Sequence, residues 1–412
     1  MKTPSVADTG SGGSRLRLFD PLVLRERWHE LTGGHAVDES HEPHLTAAVD
    51  WLVRAQDSTG SGGIARGYSL GWNPYFRLRG WEPAYPETTG YIIPTLYAAA
   101  RRLNRPELAV RATRAAGWEC TIQLPSGAVR GGVIGQETSP AVFNTGQVIF
   151  GWLSAYAETG ESRYAEAARR AALYLVSIMD GDGVWRRDNS RFALARSTLY
   201  NARASWALAE AGVRLGIPEC SDAAARNLAM VAQRQRENGW IPDCCLTDPV
   251  RPLSHTIAYA IHGLLEGGRV LGDARLVDHA SRAALAVADA ARAHGSIAGR
   301  FHDDWRPAAT WSCLTGEAQM AGVWLRLFEM TNESHWLEPV APVIRFLKGT
   351  QNRTSSDGGL CGGIKGSGPL NGGYGAYETL SWATKFFVDL LLRHERIVAG
   401  VSSTSDDAVL AA

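Results

Sequence analysis

Six stretches of this chain are apolar almost all the way round a helix, and each is preceded by a stretch that is apolar on one side only. The first kind opens on small or polar residues and continues Ala-rich. The six are ETTGYIIPTLYAAA from Glu87, NTGQVIFGWLSAYA from Asn144, NARASWALAEAG from Asn201, HTIAYAIHGLLEGG from His255, TGEAQMAGVWLRLF from Thr315 and ETLSWATKFFVDLLL from Glu378. Their starts lie 57, 57, 54, 60 and 63 residues apart, a period that marks a repeat architecture. The second kind is shown by SRYAEAARRAALYLVSI from Ser162, where Tyr164, Ala168, Ala171, Leu175 and Ile178 recur at helical spacing with Arg and Glu opposite. A helix apolar all round must be buried, whereas a one-faced helix lines the outside. Alternation of the two predicts an inner ring of six helices inside an outer ring of six: an all-α, (α/α)6 toroid of six helical hairpins. All inner helices then start on one face, beneath loops such as AQDSTGSGG, MDGDG, QRENGW and SSDGGLCGG.

The repeat spans nearly the whole chain of 412 residues with no Pro/Ser-rich linker in its middle, so one domain is expected despite the length. The expected division is an N-terminal extension over 1–40, partly disordered, a catalytic toroid over 41–396 and a disordered tail over 397–412. Lys plus Arg and Asp plus Glu both number 42; this balance argues against a nucleic-acid partner, which calls for a basic face. Met1 to Arg15 lacks the apolar core of a secretory signal, and no apolar run approaches the roughly 20 residues needed to span a bilayer. Six scattered cysteines read as reduced thiols of a cytoplasmic protein. Oligomeric state is not legible.

Helix starts carry unpaired N–H groups and the positive end of the macrodipole, and here six of them converge. The loops leading there hold Trp72, Trp81, Tyr85, Trp305, Tyr374 and other aromatics suited to the apolar faces of sugar rings; packing of long loops is the plainer role. Among the carboxylates, Glu87 follows Pro86 in GWEPAYPETTGY, with Thr88 as a competing cap. Glu378 and Glu317 hold equivalent places in the sixth and fifth repeats, Asp303 and Asp304 precede the fifth, and Asp57 follows the first outer helix. Two carboxyl groups across a bowl suit glycoside hydrolysis, although a Glu at a helix start also serves as a plain first-turn acid. The expected acids are Glu87 with Glu378, Asp304 or Glu317. His255, Tyr200 and Asn201 offer the alternative of a lyase or epimerase that removes a proton from a uronic acid, with Arg66 or Arg203 on its carboxylate. Tyr91 and Asn144 join the candidates for substrate contact. Cys313, Cys361 and His255 or His302 lack the spacing of a zinc site, so neither metal nor cofactor is expected.

Taken together, YPETTGYIIPTL (85–96), LSHTIAYAIHGLLEG (253–267), CLTGEAQMAGVWLRL (313–327) and GGIKGSGPLNGGYGAYETLSWATKFFVDLLL (362–392) are similar to the α/α toroid superfamily. That superfamily includes six-hairpin glycosidases, polysaccharide lyases, sugar epimerases and squalene-cyclase-like repeat proteins. More narrowly, the motifs resemble a squalene-cyclase-like family found in exopolysaccharide gene clusters. The resemblance covers about residues 45 to 395. It implies a carbohydrate substrate and points to Glu87, His255, Thr315, Gln319 and Tyr377 as bowl residues. The acid motif of terpenoid cyclisation is missing. A cyclase of terpenoids or peptides and a silent glycan-binding scaffold are the remaining alternatives.

Overall fold

The structure, a computed structural model, describes residues 20–136, 139–190, 198–245 and 247–400. The reading of Met1 to Arg15 and that of the tail beyond Gly400 therefore fall outside the described residues. The inner helices are α3 (Pro86–Arg102), α5 (Val142–Thr159), α7 (Ala202–Leu215), α9 (Ser254–Leu271), α11 (Leu314–Thr331) and α13 (Ser381–Val398). The outer helices are α2 (Glu42–Asp57), α4 (Pro106–Ile122), α6 (Ser162–Ser177), α8 (Pro218–Arg234), α10 (Ala274–His294) and α12 (Val340–Thr350). One further helix, α1 (Pro21–Leu31), precedes them.

Each inner helix packs on the next in chain order, and α13 returns to α3, which closes the ring. Five hairpins are sequential. The sixth pairs α13 with α2, so the two ends of the toroid are sewn together. Local signals set the helix limits. Pro stands in the first turn of α2, α3, α4 and α8, where its missing N–H costs nothing. Gly160, Gly216, Gly272 and Gly295 end α5, α7, α9 and α10 in the left-handed conformation, which only Gly adopts without strain.

Burial follows the two hydrophobic patterns. Every residue of α9 from Ser254 to Gly268 is buried. In α6 only Tyr164, Ala167, Ala168, Ala171, Ala172 and Leu175 are buried. Small residues within the inner helices let neighbouring backbones approach closely: a Cβ on Gly263 would lie 2.3 Å from the backbone of Ala202.

The sixth repeat departs from the pattern. Glu378 does not open the inner helix; it lies in a short strand, β5 (Glu378–Leu380), and α13 starts at Ser381. That strand pairs with β1 (Gly67–Asn73), which also pairs with β2 (Leu78–Trp81), in the order β2-β1-β5. The register sets Ser69 opposite Glu378 and Tyr68 opposite Thr379. A second ladder joins β3 (Ser312–Cys313) to β4 (Ser367–Gly368). These short ladders lie in the loops over the inner-helix starts and leave the all-α class unchanged.

Candidate active site

At the start of the inner ring lies a cavity of about 240 Å³. Its wall takes Arg66, Tyr85 and Glu87 from the first repeat, Phe143 and Asn144 from the second, and Tyr200 from the third. His255 and Tyr259 come from the fourth and Tyr374 and Trp382 from the last, with Gly131, Gly132, Ser139, Asn189 and Ser190 from loops.

Glu87 is the one carboxylate in this wall among the described residues. It occupies the first turn of α3, and the Tyr85 hydroxyl donates to its Oε2. Thr88 does not cap the helix; its hydroxyl donates to the Tyr85 carbonyl at 3.2 Å. Burial raises the Glu87 pKa to about 7, against the lowering effects of the Tyr85 hydrogen bond and of Arg66 and Arg203. Desolvation disfavours the charged form more than these partners favour it.

His255 shifts the opposite way. It sits in the first turn of α9, its ring 4.5 Å from that of Tyr259 and 5.2 Å from that of Tyr374. Burial and the nearby charge of Arg203 lower its pKa to about 4. Gln319 Oε1 lies 2.9 Å from His255 Nδ1. An amide oxygen only accepts, so Nδ1 carries the proton and Nε2 keeps the lone pair.

Arg66 holds a buried acidic cluster. Its Nη1 donates to Glu82 Oε2, and to Glu378 Oε2 at 3.1 Å. Ser69 Oγ donates to Glu82 Oε1 at 2.7 Å, and Asn73 Nδ2 to Glu378 Oε1 at 2.7 Å. Burial, joined by repulsion from Glu378, raises the Glu82 pKa. The guanidinium also stacks 5.0 Å from the Trp382 ring. Glu378 therefore reaches the cavity through Arg66 and not as a wall residue. Arg66, neutralised twice, is a poor clamp for a substrate carboxylate. Arg203 is not a wall residue; its Nε donates to Gln147 Oε1 at 2.8 Å below the floor.

Several expected site residues lie elsewhere, each for a visible reason. Asp304 is exposed and salt-bridged to Arg306 at 2.5 Å, and Asp303 pairs with Arg236. Asp57 pairs with Arg111 on the outside. Glu317 turns away from the cavity to accept from Ile297 N–H at 3.1 Å, and burial raises its pKa to about 8. Trp81 packs on Trp51 and Tyr68, and Trp305 on Trp240. Trp72 is 45% exposed outside the wall. Tyr91 lies one turn deeper than Glu87, against Phe386. Asn201 bonds Asn189 Oδ1 at 2.8 Å. Gln319 supports His255 from behind, Thr315 is buried outside the wall, and Tyr377 turns the chain with φ of 64°. Among the described residues no group of three His, Cys, Asp or Glu, Cys313 and Cys361 included, is placed to hold a metal.

Phe143, Ser139, Asn189, Ser190 and Trp382 were not singled out in the sequence, because they carry no motif and reach the wall from different repeats. Glu82 had one available signal, its place five residues before Glu87 in the same aromatic stretch.

The architecture is that of the α/α toroid. Among solved structures, an unsaturated glucuronyl hydrolase specific for heparin superposes with a TM-score of 0.68 at 17% identity, over 88% of this chain and 99% of its own. A cellobiose 2-epimerase from Bacillus thermoamylovorans gives 0.65 at 12% identity, over 90% and 98%. A sugar epimerase from a ruminal bacterium gives 0.66 at 15% identity, over 93% and 100%. At these identities the likeness is one of fold. In sequence, the chain matches no protein-family description and no curated relative.

Proposed function

We propose that residues 41–396 form a carbohydrate-active enzyme, a glycoside hydrolase that works on an oligosaccharide with Glu87 as general acid and His255 as general base. The observation that carries this reading is the pair of opposite pKa shifts on one cavity, to about 7 for Glu87 and about 4 for His255. Near neutrality the carboxyl keeps a proton to give and the imidazole keeps a lone pair to receive one. Groups whose environments drive their pKa values apart are the signature of assigned acid and base roles.

In the proposed reaction Glu87 protonates the glycosidic oxygen as the C–O bond breaks. His255 Nε2 takes a proton from the attacking water, whose oxygen bonds to the sugar carbon. Tyr85 orients Glu87, and Gln319 orients His255 from behind. Tyr374, Trp382, Tyr259 and Phe143 supply flat apolar surface for the sugar, and Asn144, Ser139 and Ser190 supply polar edges. The cavity lies below the ~300–1,000 Å³ of typical ligand pockets, which favours one terminal sugar over the middle of a polymer. In this reading Glu378 positions Arg66, so the paired carboxylates act through a guanidinium.

A second reading, epimerisation, is favoured by the orientation of His255. The same acid and base can remove and return a proton on a sugar carbon without adding water. Action on a uronic acid has less support, because the wall's guanidinium is already matched by two carboxylates. The aromatic wall also agrees with the squalene-cyclase-like resemblance, but its polar share supports a sugar. A cytoplasmic setting agrees with six free thiols. No described helix is long and apolar enough to cross a membrane.

Incubation with a panel of oligosaccharides in heavy water, read by mass spectrometry, tests the proposal. Two fragments whose summed mass exceeds the substrate by one water establish hydrolysis. An intact substrate that gains carbon-bound deuterium establishes epimerisation. An unsaturated fragment that absorbs in the ultraviolet contradicts both.

A further inference from the structure

Beneath the floor of the active-site cavity is a second, smaller one of about 20 Å³, walled by His262, Gln319, Gly322, Asp389 and Arg393 among others. That is room for one small guest, since about 10–15 Å³ suffices for a water-sized sphere. Three of its walls come from successive inner helices: His262 on α9, Gln319 on α11 and Arg393 on α13. Their residues are only 4%, 1% and 6% exposed. Each has a buried nitrogen with no protein hydrogen-bond partner among the described residues: His262 Nε2, Gln319 Nε2 and Arg393 Nη2.

All three nitrogens are donors. Arg203 Nη1 lies 3.2 Å from His262 Nδ1. A guanidinium only donates, so Nδ1 accepts and the ring proton resides on Nε2. Gln319 Oε1 accepts from His255, which leaves its NH₂ on the other side. Arg393 Nη2 has no accepting capacity. The one carboxylate in the wall is balanced by a cation: Asp389 Oδ2 pairs with Lys385 at 2.7 Å, and its Oδ1 accepts from Thr95 at 2.7 Å.

Among the described residues the surrounding side chains carry a net positive charge. Arg203, Arg393, Lys385 and Arg326 all act on His262 as cations. Glu266 is shared between Arg326 and Arg269, and Glu329 among Arg326, Arg393 and Arg396, so six cations, with Arg203 and Lys385, face three carboxylates including Asp389. A water has two lone pairs, so it would accept from two of the three donors and leave the third unpaired. A monatomic anion accepts from all three and offsets the buried positive charge.

We infer that this cavity is a binding site for a chloride-like anion, held by His262 Nε2, Gln319 Nε2 and Arg393 Nη2. Gln319 also holds His255, so the anion fixes the amide that orients the imidazole. That link rests on the reading of His255 as a base; the binding site itself does not.

The test uses the full-length protein, exhaustively dialysed against sodium gluconate, and needs no substrate. Replacing gluconate by chloride at constant ionic strength should raise the melting temperature in a saturating manner. Crystals soaked in bromide should show one anomalous peak among the three nitrogens. Gln319→Glu sets a negative charge against the anion. Gly322→Val fills the space with methyl groups and changes no charge; a Cβ on Gly322 meets no atom within 4 Å. Both variants should lose the chloride-dependent rise and the bromide peak. If one variant fails to fold, the other still decides. No saturating chloride effect in the wild type, an equal effect in Gly322→Val, or a bromide-free cavity would each overturn the site.

Discussion

Arg66 Nη1 lies 3.1 Å from Glu378 Oε2, a contact that ties the loop before the first inner helix to the strand before the last. The same guanidinium neutralises Glu82. Glu378 is therefore a support for Arg66 and not a free acid. Glu378→Gln keeps an oxygen for Asn73 but removes the charge. Stability should fall by about 1–3 kcal/mol, the range for losing a charge-assisted hydrogen bond, while turnover stays within about tenfold of wild type. Denaturant titration and steady-state rates check both. A loss at the upper end of the ~10²–10⁴-fold general acid–base range would make Glu378 a second catalytic acid.

The proposed acid and base predict a pH response. In the proposed reaction Glu87 acts protonated, so the rate should fall as pH rises through about 7. In the same proposal His255 acts neutral, so the rate should fall as pH drops through about 4. The profile is a bell between those limits. Tyr85 donates to Glu87 and lowers its pKa. Tyr85→Phe should therefore move the alkaline limb upward in pH and leave the acid limb in place. An alkaline limb that does not move would remove Tyr85 from this role.

Glu317 is a buried acid outside the cavity wall. Its folded pKa of about 8 exceeds the ordinary 4.5, so the folded state binds the proton more tightly than the unfolded state does. The stability this contributes is complete below about 4.5 and is lost as pH rises through about 8. Glu317→Gln keeps an acceptor for Ile297 N–H and cannot ionise. It should flatten the decline of melting temperature between those pH values and retain near-wild-type turnover. A steep decline that persists unchanged in the variant would contradict the assignment.

The close approach at Gly263 carries a stability prediction. Alanine there would set its Cβ 2.3 Å from the Ala202 backbone, which only a shift of α7 against α9 can relieve. Gly263→Ala should cost about 1–3 kcal/mol, the usual range for overpacking, measured by denaturant midpoint.

Much of the fold was legible because it depends on local periodicity. The stretches from Asn144 and His255 read as helices buried all round, that from Ser162 as one-faced, and the structure realises each. Glu378 was misread as a helix start because ETLSW continues an apolar run. Its pairing with Ser69 across the closed ring is a contact between the two ends of the chain that no local pattern reports. The site divided in the same way. Glu87 and His255 stand at inner-helix starts, where convergence was expected. Trp72, Trp305 and Asp304 shared the right loops, but a loop residue's direction depends on its partners: Trp240 holds Trp305 and Arg306 holds Asp304. The pKa shifts come from burial and could not be read before the fold.

The most direct test of the account is oligosaccharide turnover by wild type and Glu87→Gln side by side, with circular dichroism to confirm that both are folded. The account predicts hydrolysed products from the wild type. From a natively folded Glu87→Gln it predicts a rate lower by at least about 10²-fold, the lower bound for losing a general acid. Wild-type turnover in Glu87→Gln would contradict it.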